Sequence, residues 1–254
     1  MTAVRDALAK AQVLVEALPW LKRFHGRIVV IKVADPTLAD EGLKRAFTQD
    51  VVFLRHAGLK PVVVHGSGPH VGIQLHAMRS SVRCPADVVR TAAAGLAQRD
   101  LVQLLNTYGP LAVGVRGEDG HIVLASTGTV GEIEDRLFRT LLNDGRIPVI
   151  SNCVRGMDGL AHLVDGDTTA SLIAAGLQAE ALILLTDPAE GTAYDAGWLT
   201  PESRIVSPSR PSGGTAITME ACARALRSGV SLARVLDCEV PHTLLQQFHL
   251  PTPY

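Results

Sequence analysis

Residues 27–33 read RIVVIKV and residues 60–69 read KPVVVHGSGP, and the fold turns on what these two stretches enclose. Each opens with a short run of β-branched residues, the pattern of a strand buried on both faces. Between them, residues 39–57 repeat apolar positions at helical spacing. Strand, helix and strand in that order make a parallel crossover.

The same alternation continues outward. Further strands are predicted at 111–115, 121–125, 147–151 and 181–186, with Ala-rich helices over about 86–107, 135–144 and 167–177. A last helix near 215–228 leads to a strand near 232–237 and a short helix near 241–248. Ahead of the first strand, Val4, Leu8, Ala11, Val15 and Leu18 recur at helical spacing, giving an amphipathic helix that packs on the body or on another subunit. The expectation is an α/β chain, a three-layer α/β/α sandwich around a mainly parallel sheet. Residues 1–254 are read as one domain. The longest irregular stretch, 187–214, is rich in Pro, Gly and Ser, a length that usually marks a functional loop.

Composition agrees and narrows the function. Hydrophobic residues make up 47% of the chain and aromatics only 4%, so the interior is built from small and branched aliphatic side chains, as layered sheets and helices are. With 24 basic and 25 acidic residues the formal charge is −1, which gives no field to gather nucleic acid or an anionic membrane. Small molecules and protein partners are the default. Cys84, Cys153, Cys222 and Cys238 stand singly, without metal-ligand spacing, so free thiols and no metal site are expected. Residues 1–24 carry charges throughout and match neither a signal peptide nor a membrane span, so a cytoplasmic location is the default reading.

Ligands of an open parallel sheet bind at the carboxyl ends of its strands. Three segments meet that condition. His65, Gly66, Ser67 and Gly68 follow a strand and open toward a helix, where glycines either let the backbone wrap an anion or simply make a tight turn. Lys32 lies in an apolar strand, where its ammonium must reach an anion, a carboxylate or solvent at the strand end. Asp167, in DGDTT at 165–169, either caps the following helix or faces a cation.

Taken in order, EALPWLKRFHGRIVVIK, DVVFLRHAG, PVVVHGSGP, GRIPVIS, DGDTTASLIAAGL, ALILLTD and SGGT resemble the N-acetylglutamate kinase branch of the amino-acid kinase family over nearly the whole chain. The resemblance implies transfer of the γ-phosphoryl group of ATP, with Mg²⁺ carried by the nucleotide, to the side-chain carboxylate of N-acetylglutamate or a related acylated amino acid. It implies an amino-acid-substrate lobe at about 25–160, a nucleotide lobe at about 161–254 and an N-terminal helix at 1–24. In it, Lys32 resembles the lysine that bridges the transferred phosphoryl, and Asp167 the acid that orients the catalytic lysines. Gly66, Ser67 and Gly68 resemble the loop that meets phosphoryl and substrate, and Arg79 the arginine that pairs with the substrate α-carboxylate, although an arginine near a helix start can equally be surface. Thr186, Asp187, Ser212, Gly213 and Gly214 resemble the wall facing adenine and ribose. The long first helix resembles that of hexameric, arginine-inhibited members, so a homo-oligomer is expected.

The chain also departs from that pattern. Ala34 and Asp35 stand where the family has two glycines, so a carboxylate is expected to face the nucleotide phosphates. Thr218 stands in register with a second phosphate-stabilising lysine, and Leu163 with a substrate-binding asparagine. Gln98 and Asp165 each replace an asparagine, the stretch between His70 and Arg79 is about one hairpin short, and residues 250–254 replace a terminal glycine-threonine segment. A second expectation therefore stands beside the kinase: a catalytically degenerate relative acting as a ligand-binding, regulatory or structural subunit.

Overall fold

The structure is a computed structural model and describes residues 2–66, 86–116, 123–124, 133, 135–156, 161–187, 197–203 and 214–247. Its frame is a six-stranded sheet in which every pairing is parallel. The strands are β1 (Ile28–Val33), β2 (Lys60–His65), β3 (Ala112–Val115), β5 (Ile147–Ser151), β8 (Ala181–Thr186) and β9 (Leu232–Asp237), in the order β3-β5-β2-β1-β8-β9. A second sheet of three short strands joins β4 (Val123–Leu124), β6 (Cys153–Gly156) and β7 (Ala161–Leu163); β4 runs parallel to β6 and β7 antiparallel to it.

Alternation along β1 and β2 divides the core in two. Val29, Ile31, Val33 and Val63 pack with Phe47, Val51 and Leu54 of α4 (Glu41–His56) and Leu101 of α5 (Ala86–Leu105). Val30, Val62 and Val64 pack on the opposite face with Phe138 of α6 (Asp135–Asn143), Ile173 of α7 (Gly166–Gly176) and Ala221 and Ala225 of α8 (Gly214–Arg227). Side chains that alternate across a strand put each neighbour on the other face, so both faces are covered and the expected three layers are present.

Those two faces fix where a ligand can sit. The connection from β1 to β2 runs through α3 (Asp35–Ala39) and α4 on one face, and that from β8 to β9 through α8 on the other. β1 and β8 are neighbours, so their carboxyl ends flank a topological switch point, where open parallel sheets bind ligands.

Several expected boundaries shift for local reasons. The N-terminal helix ends at Glu16, and a second helix, α2 (Leu18–Phe24), starts again with a proline in its first turn. The helical pattern over 39–57 is cut at Asp40, whose extended backbone ends α3 and whose carboxylate accepts from the N–H of Leu43 to cap α4. The short strand expected at 121–125 is β4, in the second sheet. β6 and β7 are not legible from apolar periodicity. The terminal helix is α9 (Thr243–Gln246). Cys153, Cys222 and Cys238 are buried free thiols, as expected. No described helix is long and apolar enough to cross a membrane.

Candidate active site

Lys32 is the fifth residue of β1 and lies on the face covered by α7. Its ammonium is 2.8 Å from Oδ1 of Asp167, and it donates more weakly, at 3.4 Å, to the carbonyl of Leu185 near the end of β8. The two side chains are 16% and 6% exposed, so the pair is largely withdrawn from water. Burial alone pulls the lysine toward neutrality. Attraction to Asp167, their hydrogen bond and the charges of Asp165 and Asp35 outweigh it, so its pKa is held above the usual value and the side chain is a fixed cation.

Asp167 is free to do this because the helix cap is elsewhere. Asp165 accepts from the N–H of Thr168 at 2.8 Å and is the N-cap of α7. This corrects the alternative of Asp167 as the cap: it sits in the first turn and turns its carboxylate toward Lys32. Its second oxygen, Oδ2, takes a 2.5 Å hydrogen bond from the hydroxyl of Thr218, buried in α8. Thr218, read from sequence only as the loss of a cation, is thus a direct partner of the acid. The sulfur of Cys222, one turn further along α8, lies close enough to the negative charge of Asp167 for that charge to add to burial in pushing its thiol up to about 12.

Two glycines lie close against these charged side chains. A Cβ on Gly66 would come within 2.9 Å of Oδ1 of Asp35, and one on Gly166 within 3.3 Å of Cε of Lys32. The Asp35 carboxylate therefore lies against Gly66, beside the carboxyl end of β1. His65, fully buried at the end of β2, approaches the Gly66 carbonyl through Nδ1 at 2.7 Å. Burial pulls its pKa down to about 4, and a carbonyl can only accept, so Nδ1 carries the proton of a neutral ring.

The remaining expected residues divide. Thr186 ends β8, buried, and its carbonyl accepts from the N–H of Cys238; Asp187 follows it, next to the strand that carries Leu185. Gly214 begins α8. Lys32, Gly66, Asp167, Thr186 and Asp187 all stand at the carboxyl ends of β1, β2 and β8 or in the first turn of α7. Ser67, Gly68, Arg79, Ser212 and Gly213 lie outside the described residues. Gln98 donates to the carbonyls of Val115 and Val149 and so joins the end of β3 to the middle of β5, a structural part. Among the described residues no cluster of three or more His, Cys, Asp or Glu side chains could hold a metal ion on its own.

Comparison with known proteins adds the context of a family. The model of the "Amino acid kinase family" matches residues 27–237. The acetylglutamate kinase of Streptomyces griseus is 45% identical over 274 aligned residues, covering 94% of this chain and 87% of that protein. That of Streptomyces coelicolor is 43% identical, covering 96% and 90%. Among solved structures, N-acetylglutamate synthase from Neisseria gonorrhoeae, complexed with coenzyme A and N-acetyl-glutamate, superposes with a TM-score of 0.75 at 18% identity, covering 94% of this chain and 61% of that one. Carbamate kinase from Giardia lamblia superposes with a TM-score of 0.66 at 14% identity, covering 87% and 96%. These two likenesses concern the fold.

Proposed function

The chain belongs to the amino acid kinase family, and on that premise we propose that it transfers the γ-phosphoryl group of ATP to the side-chain carboxylate of N-acetylglutamate or a related acylated amino acid. The observation that carries the reading is the buried Lys32–Asp167 pair at the switch point of the parallel sheet. In the transfer, a carboxylate oxygen of the acceptor forms a bond to the γ-phosphorus as the bond to the ADP oxygen breaks, giving an acyl phosphate. Such a transition state asks chiefly for positioning and charge neutralisation. Lys32 supplies a cation whose direction is set by Asp167, and Gly66 lets an anion approach the backbone closely. The residues at about 25–160 are assigned to the amino-acid substrate, with Ser67, Gly68 and Arg79 among its ligands. Those at about 161–254 are assigned to the nucleotide, with Thr186, Asp187, Ser212, Gly213 and Gly214 along its wall.

Magnesium enters with the nucleotide. Asp35, Asp165 and Asp167 place negative charge around Lys32, which bare phosphate would meet. Two like charges about 4 Å apart cost about 4 kcal/mol at an effective dielectric near 20. The ion, when bound, offsets that repulsion.

A second reading, a ligand-binding or regulatory subunit with little turnover, is favoured by one observation. The Thr218 hydroxyl occupies Oδ2 of Asp167, the oxygen that Lys32 leaves to a second cation. Calorimetric titration with MgATP and then N-acetylglutamate, followed by a coupled ADP-release assay, separates the two. Acetylglutamate-dependent ADP release supports the kinase. Nucleotide or amino-acid binding without release supports the second reading, and no binding of either removes both.

A further inference from the structure

Where the chain leaves β5 it passes from one sheet into the other, and Asn152 stands at the crossing. Ser151 before it pairs with His65 in the parallel sheet, and Cys153 after it pairs antiparallel with Leu163 in the small one. The antiparallel register continues one place, to Asn152 opposite Val164, and the N–H of Val164 donates to the carbonyl of Asn152 at 3.0 Å. A hydrogen-bonded antiparallel pair returns a second bond, from the N–H of Asn152 to the carbonyl of Val164. That N–H is committed elsewhere: it donates to the carbonyl of His65 at 3.0 Å. The side chain supplies the missing donor, Nδ2 reaching the Val164 carbonyl at 2.8 Å.

The choice of asparagine has a visible cost. Only the amide nitrogen can face a carbonyl, so Oδ1 must point away from it, and Oδ1 is buried with no hydrogen-bond partner among the described residues. What the donor secures lies at both ends of the staple. His65 leads directly into Gly66. Val164 leads into Asp165, which caps α7, then Gly166, against which Lys32 rests, then Asp167.

We propose that Asn152 is a positioning residue for phosphoryl transfer: by clamping Val164 to the end of β2 it fixes the first turn of α7, and with it the Asp167–Lys32 pair, relative to Gly66. The proposal rests on the kinase reading for its kinetic consequence, but the clamp itself has a separate readout.

Asn152→Asp keeps the shape and loses the donor while ionised, and regains an O–H donor when protonated. Among the described residues the nearby titratable groups along these segments are His65 at the end of β2, Asp165 at the N-cap of α7 and Asp167 in its first turn. His65, with its pKa near 4, stays neutral over the range used. Two measurements are made on the full chain. Hydrogen exchange near pH 7.5 is expected to be about tenfold faster over residues 164–170 in the variant, with the other strands at wild-type rates. Turnover is expected to fall by on the order of 100-fold with little change in KM for MgATP, and the variant-to-wild-type ratio of kcat to rise as pH falls from about 8 to about 6, as the new carboxyl protonates. Asn152→Ser, which keeps a shorter donor, is expected to lie between. Wild-type exchange over 164–170 in both variants overturns the clamp. A turnover deficit that ignores pH, or one confined to KM, overturns the positioning role. If the wild-type chain transfers no phosphoryl group, the kinase reading fails, and the exchange rates alone decide whether Asn152 holds α7.

Discussion

The hydroxyl of Thr218 donates to Oδ2 of Asp167 at 2.5 Å while Lys32 holds Oδ1 of the same carboxylate at 2.8 Å. Among the described residues the acid therefore has two partners on two elements, β1 and α8, of which Lys32 is charged and Thr218 is not. Replacing Thr218 by lysine exchanges the hydroxyl at Oδ2 for a second cation, and Asp35→Gly removes the carboxylate beside Gly66. A donor aimed at transition-state charge is worth about 100- to 1000-fold in turnover. The double variant is expected to raise kcat by on the order of 100-fold in the coupled ADP-release assay. No gain in a variant that folds normally would mean that the pocket serves binding without transfer.

Thr218→Val tests the hydroxyl from the side of stability. Valine fills nearly the same volume but leaves a buried carboxylate oxygen without its donor, which costs about 1–3 kcal/mol. Lys32→Met is expected to cost more, about 3–5 kcal/mol, because it strands a charge that is only 6% exposed. Urea denaturation midpoints give both numbers. The order predicted is wild type, then Thr218→Val, then Lys32→Met, and a reversed order would show that Thr218 and not Lys32 is the principal partner of Asp167.

How much of this was legible in the sequence depended on whether the signal was local. β1, β2, β5 and β8 are continuous apolar runs, so strand reading placed them to within a residue. CVRG at 153–156 and AHL at 161–163 are short and mixed, and only their pairing with each other makes them strands. The cap of α7 was readable in principle, since Asp165 stands three residues before the N–H it satisfies, at Thr168. Two aspartates two positions apart hid it. The Thr218–Asp167 bond was not readable at all, because it joins residues on two helices through the way α7 and α8 face each other over the sheet. Asn152 belongs to the same class: its role exists only because its backbone N–H serves one sheet while its neighbours serve another.

Asp50 gives the chain a pH dependence away from the site. It lies in α4, 1% exposed, with Oδ1 2.7 Å from Nδ1 of His242, a residue with left-handed backbone at the start of α9. Burial raises its pKa from 3.8 to about 6, against the opposing effects of His242 and of the N–H groups of Leu244 and Leu245. The folded state thus binds the proton more tightly than the unfolded chain. Its stabilising effect is complete below about pH 3.8 and is lost as pH rises to about 6, an effect on the order of 2–3 kcal/mol. Asp50→Asn, which stays neutral, is expected to be more stable than wild type above about pH 6 and to lack this fall. Melting curves taken across about pH 4.5–8 test it, and parallel curves for the two proteins would show that Asp50 does not titrate there.

The N-terminal helix carries the last prediction. In α1 (Thr2–Glu16) and the residues after it, Leu8, Leu14, Val15 and Leu18 are each at least 60% exposed, although Trp20 and Phe24 of α2 are buried and stacked at 4.2 Å between ring centroids. The anchor is thus well packed while the helix ahead of it offers large apolar side chains to water. Full burial of a leucine or valine side chain is worth about 1.5–3 kcal/mol, so covering several of them by the same helix of a second copy would give a stable association. We therefore expect a homo-oligomer in light scattering coupled to gel filtration. Leu14→Glu with Leu18→Glu should reduce it to a smaller species with an unchanged melting curve for the body, because neither side chain belongs to the core. A wild-type chain that runs as a monomer at micromolar concentration would assign this face to a different partner.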